Sequence, residues 1–193
     1  HILVASSPEL LEQGKGDIWD SGKIESDASQ WITYQGKTLK CNAPYYWKVK
    51  IDTNKGATNW SAPAFWTTGL FNEADWQGQW IGLDRAAPGD SETQWSRLAA
   101  RYLRKEFAVK KDVKRATVHI AGMGLYELFI NGQRIGNQVL APAPTDYRKT
   151  ILYNTYDVTS LLQTENAIGV TLGNGRFYTM RQNYKPYKIP TFG

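Results

Sequence analysis

An all-β chain, arranged as two successive β-sandwiches, is predicted from three features of the sequence. Apolar and polar side chains alternate in many runs of five to nine residues, and each run is closed by Gly, Ser, Asp or Asn rather than continued at helical spacing. Aromatic residues make up 13% of the 193 positions and include eight Trp, against only two Met, which favours rigid, sheet-type cores. No segment carries a long 3.6-residue periodicity. The length suits two small domains better than one.

Charge supports the division. Residues 1–72 hold seven Lys, no Arg and seven acids, so the net charge of +5 belongs wholly to residues 73–193. Between Arg176 and Gly193 there is no acid, and Arg176, Arg181, Lys185 and Lys188 are interleaved with Phe177, Tyr178, Tyr184 and Tyr187. Such interleaving suits stacked sugars or a nucleic-acid strand, but a solvated loop that docks on a neighbour is the better reading. Cys41 is the single cysteine, which excludes an intrachain disulfide and multi-cysteine metal sites. His119 lies in the alternating run Ala116–Ile120, opposite Val118 and Ile120, without ligand-type partners at useful spacing. No cofactor and no metal site are expected. There is no apolar run of 18 residues, so no membrane span is expected. The chain lacks an initiator Met and opens inside the apolar stretch Ile2-Leu3-Val4, as though cut from a longer polypeptide. Its compartment stays open, with a periplasmic or extracellular one favoured over the cytoplasm.

The first domain is read from its strands. Ile2–Ala5, Asp17–Gly22 and Trp31–Tyr34 form short strand candidates between polar turns. Tyr45, Trp47, Val49 and Ile51 alternate with Lys48, Lys50 and Asp52, which predicts a half-buried strand with its lysines turned outward. Asp52–Gly56 is a polar turn, and the chain returns through Pro63, Phe65 and Thr67. This pattern resembles the last hairpin of a fibronectin type III domain, and Leu39, six residues before Tyr45, matches that family's tyrosine corner. Tyr45 is therefore expected to bond the backbone just upstream. The usual first strand is missing from residues 1–72, and the boundary is placed near Phe71–Asp75. Trp76 and Trp80 suggest a packed joint beyond it.

In the second domain, residues 73–193, Arg101–Val109 and Ala116–Ile120 alternate around the charged Lys110-Lys111-Asp112. Tyr126, Leu128 and Ile130 alternate with Glu127 and Phe129 ahead of Asn131-Gly132, the strongest short hairpin signal. Asp157-Val158-Thr159-Ser160 places oxygen-bearing side chains before Leu161-Leu162, which suits a capped helical turn. Ile168, Val170 and Leu172 alternate with Gly169, Thr171 and Gly173, so one face is branched and the other lets backbone approach. Asn174-Gly175 closes that strand.

Taken in order, Tyr126, Asn131-Gly132, Thr145-Asp146-Tyr147, Asp157-Val158-Thr159 and Gly173-Asn174-Gly175 resemble the N-terminal module of bacterial α-L-rhamnosidases, glycoside hydrolase family 78. Trp19-Asp20-Ser21-Gly22, Tyr46-Trp47-Lys48-Val49, Thr68-Gly69-Leu70 and Trp80-Ile81-Gly82 are similar to the sandwich that precedes it. The resemblance covers nearly the whole chain. It implies a fibronectin type III-like sandwich followed by a jelly-roll, galactose-binding-like sandwich truncated at its C-terminus. It also implies a parent enzyme that hydrolyses terminal α-L-rhamnosyl linkages with inversion, through two carboxyl groups about 6.5–9.5 Å apart on an α/α barrel. None of the 18 acids here matches that motif, so the chain carries no catalytic residue by this reading. Its expected role is an accessory one beside the catalytic barrel of the same polypeptide, in contact with rhamnose-containing carbohydrate. The residues expected to touch sugar are Asp146, Tyr147, Asn174, Arg176 and Tyr178. Arg176 departs from the aromatic that the family often has after Gly-Asn-Gly. The alternative is a structural or adhesion module without sugar affinity; nucleic acid is not expected as a partner.

Overall fold

The computed structural model describes residues 1–82, 99–175 and 177, and the chain divides into two compact units, His1–Gln79 and Trp80–Gly193. Among the described residues, both are built from antiparallel β-sheet, with helix confined to short turns.

In the first unit, β1 (Ile2–Ala5), β2 (Trp19–Asp20), β3 (Pro44–Val49) and β6 (Ala64–Thr67) form one sheet in the order β2-β1-β3-β6. Two short strands, β4 (Asp52–Thr53) and β5 (Gly56–Ala57), make the hairpin that the polar turn predicts. Period-two alternation gives the sheet two faces. Val4 pairs with Trp47, and Tyr45 with Trp66, on one face. Leu3 pairs with Lys48, and Ala5 with Tyr46, on the other. The tyrosine corner is present: the buried Tyr45 accepts a hydrogen bond from the Lys40 amide at 2.6 Å.

Two expectations are corrected here. Lys48 does not point to solvent but is 9% exposed. The turn Ser7-Pro8-Glu9 starts a short helix, α1 (Pro8–Glu12), with proline at its favoured first position, and this helix covers the Lys48 face. Lys48 Nζ donates to the Leu11 carbonyl and stands 5.0 Å from the Trp60 ring centroid, so its charge is satisfied by a carbonyl and an indole face. The second correction concerns Trp31–Tyr34, which form no strand. Trp31 has φ +63° and is 92% exposed, which interrupts an extended run. Tyr34 Oη donates to the Lys37 carbonyl at 2.5 Å, and the Lys37 amide reaches Ile18 O at 2.9 Å, closing a turn. Gly36 is required there, since a Cβ would lie 2.6 Å from Ile18 O.

The second unit contains the sheet β10-β9-β12-β7, from β7 (Arg101–Ala108), β9 (Leu125–Ile130), β10 (Gln133–Ile135) and β12 (Glu165–Gly173). A second pair joins β8 (Thr117–Ala121) to β11 (Tyr153–Asp157). Tyr126, Leu128 and Ala141 form a buried cluster against Val118, Ile120, Tyr156 and Val170, so the alternating faces of both sheets meet in one sandwich core. Asp157 Oδ1 accepts bonds from the Thr159 amide (2.9 Å) and hydroxyl (2.6 Å), capping the expected turn at Thr159–Leu161.

The buried tyrosine hydroxyl and the β8 histidine each give a test. Tyr45→Phe leaves the Lys40 amide without its partner and is expected to destabilise the chain by about 1–3 kcal/mol in denaturant titration; an unchanged midpoint would refute the corner's role. His119 Nδ1 lies 2.9 Å from Thr155 Oγ1, its ring stands edge-on to Tyr153, and its Nε2 is buried without a partner. Desolvation, aided by the nearby Arg115 charge, lowers its pKa. The unfolded chain then binds this proton more readily, so the contribution is whole above the ordinary histidine range and shrinks as pH falls through it. Wild type should lose more stability than His119→Gln between pH 7.5 and 5.5, taken as about one unit either side of 6.5; parallel losses would refute the assignment.

Candidate functional site

Glycine backbone contacts organise one end of the second unit. Gly124 has φ +138°, and a Cβ there would lie 2.4 Å from Gly173 O; Gly175 has φ +51°, and its Cβ would lie 2.8 Å from the Gly124 carbonyl carbon. The loop before β9 and the loop after β12 therefore touch through backbone, an approach open only to residues without side chains. Next to them, Tyr126 is held by its amide bond to Ala141 O (2.8 Å) and by Asn154 Nδ2, which donates to its hydroxyl at 2.6 Å. Burial pushes the Tyr126 phenol well above its ordinary pKa, so it stays neutral as a structural post.

Thr145–Thr150 is a single braced turn. Lys149 and Thr150 amides both donate to Asp146 O, at 2.8 and 3.0 Å, and Thr145 Oγ1 donates to Thr150 O. Arg148 engages Asp146 with both arms, Nε to Oδ1 at 3.0 Å and Nη2 to Oδ2 at 3.2 Å. That pairing, with the Arg148 amide, holds the Asp146 carboxyl below its usual range. A carboxylate so stabilised is a poor general acid and an acceptor for hydroxyl donors; its pair with Arg148 lies at the surface. Tyr147 is half-buried and stacks edge-on against Phe177, centroids 5.6 Å apart at 78°.

Of the residues expected to touch sugar, the structure thus connects Tyr147 to the strand-end loop that carries the half-buried Asn174, by way of Phe177. Asp146 lies on the same turn as Tyr147, with its carboxylate on Arg148. Arg176 and Tyr178 lie outside the described residues. Sequence reasoning missed Arg148 and Phe177 as parts of this end. The alternation of opposite charges at 146 and 148 was an available signal for the first; the second stood in the aromatic-basic run after Gly175, but its pairing with Tyr147 was not readable there. Among the described residues, no three His, Cys, Asp or Glu gather as metal ligands, and no helix is long and apolar enough to cross a membrane.

The first unit holds a different kind of concavity, about 270 Å³, lined among others by Val4, Trp19, Tyr34, Trp47 and Trp66. Its lining is aliphatic and aromatic, a surface suited to stacking rings.

Both units match known modules. Residues 1–72 match the Rha78A-like N-terminal immunoglobulin domain and residues 111–192 the α-L-rhamnosidase N-terminal domain. The chain belongs to the N-terminal region of the α-L-rhamnosidase family. It is 39% identical to an α-L-rhamnosidase of Formosa agariphila over 96% of its own length and 21% of the relative's, and 36% identical to one of Alteromonas sp. over 90% and 19%. A solved α-L-rhamnosidase from Dictyoglumus thermophilum superposes with TM-score 0.81 at 42% identity, covering 91% of this chain and 21% of that one. The enzyme from Aspergillus terreus gives 0.73 at 28% identity, with 96% and 20% covered. The chain thus spans about a fifth of the length of the relatives it matches.

The glycine contact yields a graded test. Gly124→Ala forces a Cβ onto the Gly173 carbonyl at a φ that L residues rarely adopt, and is expected to cost at least about 2 kcal/mol. Gly132→Ala, at φ +82° with nothing within 4 Å, meets only the backbone penalty and should cost about 1 kcal/mol. Equal unfolding midpoints for the two variants would contradict the close approach.

Proposed function

We propose that this chain is a non-catalytic accessory region of an α-L-rhamnosidase. It supports the catalytic barrel of the same polypeptide, and the Thr145–Thr150 turn with the Gly173–Gly175 loop contacts rhamnose-containing carbohydrate along one wall of the substrate cleft. The observation that carries this reading is an aromatic pair, Tyr147 with Phe177, beside a surface ion pair, Asp146 with Arg148, the Gly173–Gly175 loop being braced by backbone contact. Sugars are held by such a division of labour: a ring edge or face against the apolar C–H surface, and planar polar groups against the hydroxyls. Hydrolysis belongs to the barrel. The carboxylate of Asp146 is held ionised, whereas an inverting hydrolase needs one carboxyl kept protonated and a second placed about 6.5–9.5 Å away.

The second reading, a structural spacer with no sugar affinity, is favoured by the fact that Arg148 already occupies both oxygens of Asp146. Titration of rhamnose into the isotopically labelled chain separates the two. Amide shifts confined to Asp146, Tyr147 and Asn174, saturating with rhamnose and absent with galactose or glucose, are expected; Tyr147→Ala should abolish them. No shifts at tens of millimolar sugar, an affinity weaker than about −2 to −3 kcal/mol, would leave the spacer reading standing. The chain alone should release no chromophore from an aryl rhamnoside.

A further inference from the structure

At the edge of the second unit's larger sheet, residues 136–140 leave the strand after β10 and rejoin it at Ala141, which bridges to Tyr126. The excursion is tightly held. Arg134 Nη1 donates to Gly136 O at 3.2 Å and Nη2 to Gln138 O at 2.7 Å, while Nε binds Glu127 Oε1 at 3.1 Å. Tyr156 Oη donates to Gln138 Oε1 at 3.1 Å, and Gly136, at φ +78°, has no room for a Cβ beside Gln138 and the Tyr156 ring. What this scaffold presents is apolar: Val139 is 81% exposed and Leu140 69% exposed. Leu140 also has φ +61°, a conformation that branched aliphatic residues rarely adopt. Among the described residues, both side chains stand largely uncovered. A pinned, strained and apolar tip is a feature whose compensation lies in a contact outside it.

We infer that the Val139–Leu140 tip is a docking peg that seats in an apolar hollow on the catalytic portion of the same polypeptide; this rests on the accessory reading above. Size decides the kind of partner. Two side chains offer a fraction of the roughly 800 Å² per partner that a stable association of separate proteins requires. A contact between parts of one polypeptide is assisted by high effective concentration and is served by a small patch. The chain spans only 21% of its relative from Formosa agariphila, so in such a protein most of the polypeptide is available to form the hollow.

The test uses opposite signs. Leu140→Gly relieves the positive φ while removing the peg, so it is expected to raise the unfolding temperature of the 193-residue chain and to lower that of this region within the intact rhamnosidase polypeptide. Val139→Asp should leave the isolated chain unchanged and again lower the midpoint of the intact protein. A fall in both settings for both variants would make the tip part of the unit's own packing and overturn the proposal. No change in the intact protein would overturn it too. So would concentration-dependent dimerisation of the wild-type chain in sedimentation that Val139→Asp abolishes, since the occupant would then be a second copy. Deleting the whole accessory region provides the control: if the catalytic portion keeps its stability and activity without it, the support role itself fails. If deletion is harmful but the tip variants are silent, only the peg fails.

Discussion

Two side-chain amides hold the central strand of the second unit, and the candidate site depends on where that strand is set. Asn131, at φ +51° in the β9–β10 turn, donates through Nδ2 to Leu161 O and to Asn166 Oδ1, and accepts the Ala167 amide on Oδ1. Asn166, only 4% exposed, uses its remaining capacity on the amide and carbonyl of Gln163. The side-chain amides of the buried Asn166 and the half-buried Asn131 are matched to each other and to the backbone, which is the condition under which a polar network specifies geometry instead of weakening it. It ties the hairpin, the turn after Thr159 and the start of β12 to one another. A one-residue slip of β12 would break these bonds and also turn Ile168, Val170 and Leu172 away from the core. The same register brings Gly173 opposite Leu125, and so brings Gly124 and Gly175 into contact.

In the first unit the corresponding constraint is polar as well. The sheet has apolar residues on both faces, and the short helix α1 closes one of them over Leu3, Ala5 and Leu11. Lys48 crosses that cluster and ends on a helix carbonyl, so its stem packs while its charge is answered. The Tyr45 hydroxyl performs the same service at the loop above β3. Small sandwiches bury little surface for their length, and single satisfied polar contacts of this type weigh more in them than in larger domains.

The loops of the candidate site gain their rigidity from what lies beneath. The glycine contact and the Tyr126 post each remove freedom from a different segment, and the Tyr147 ring is presented from a turn closed by its own backbone hydrogen bonds. The apolar concavity of the first unit offers rings without polar partners. The two surfaces therefore suit different chemistry.

Strand alternation, turn chemistry and caps were legible in the sequence because each depends on neighbours a few residues apart. Tyr126–Ile130 with Asn131-Gly132, the Asp157–Thr159 turn and the alternation of β12 followed from local spacing and from the turn conformations that Asn and Gly tolerate, and the Tyr45 corner from the resemblance to a fibronectin type III hairpin. Trp31–Tyr34 had the composition of a strand, yet a left-handed Trp31 and the turn closed by Tyr34 replaced it, because Gly36 allowed Ile18 to bond there. Lys48 read as a solvent residue until α1 covered it. Asp146, Tyr147 and Asn174 could be named as candidates by motif, but their pairing with Arg148 and Phe177 could not. Pairing across loops, the filling of a face by a helix and the orphaned nitrogen of His119 depend on which distant segments pack together. Sequence alone specified the periodicity and the turns of this protein; the tertiary structure decided the contacts, because they are made between residues that only the folded register brings within reach.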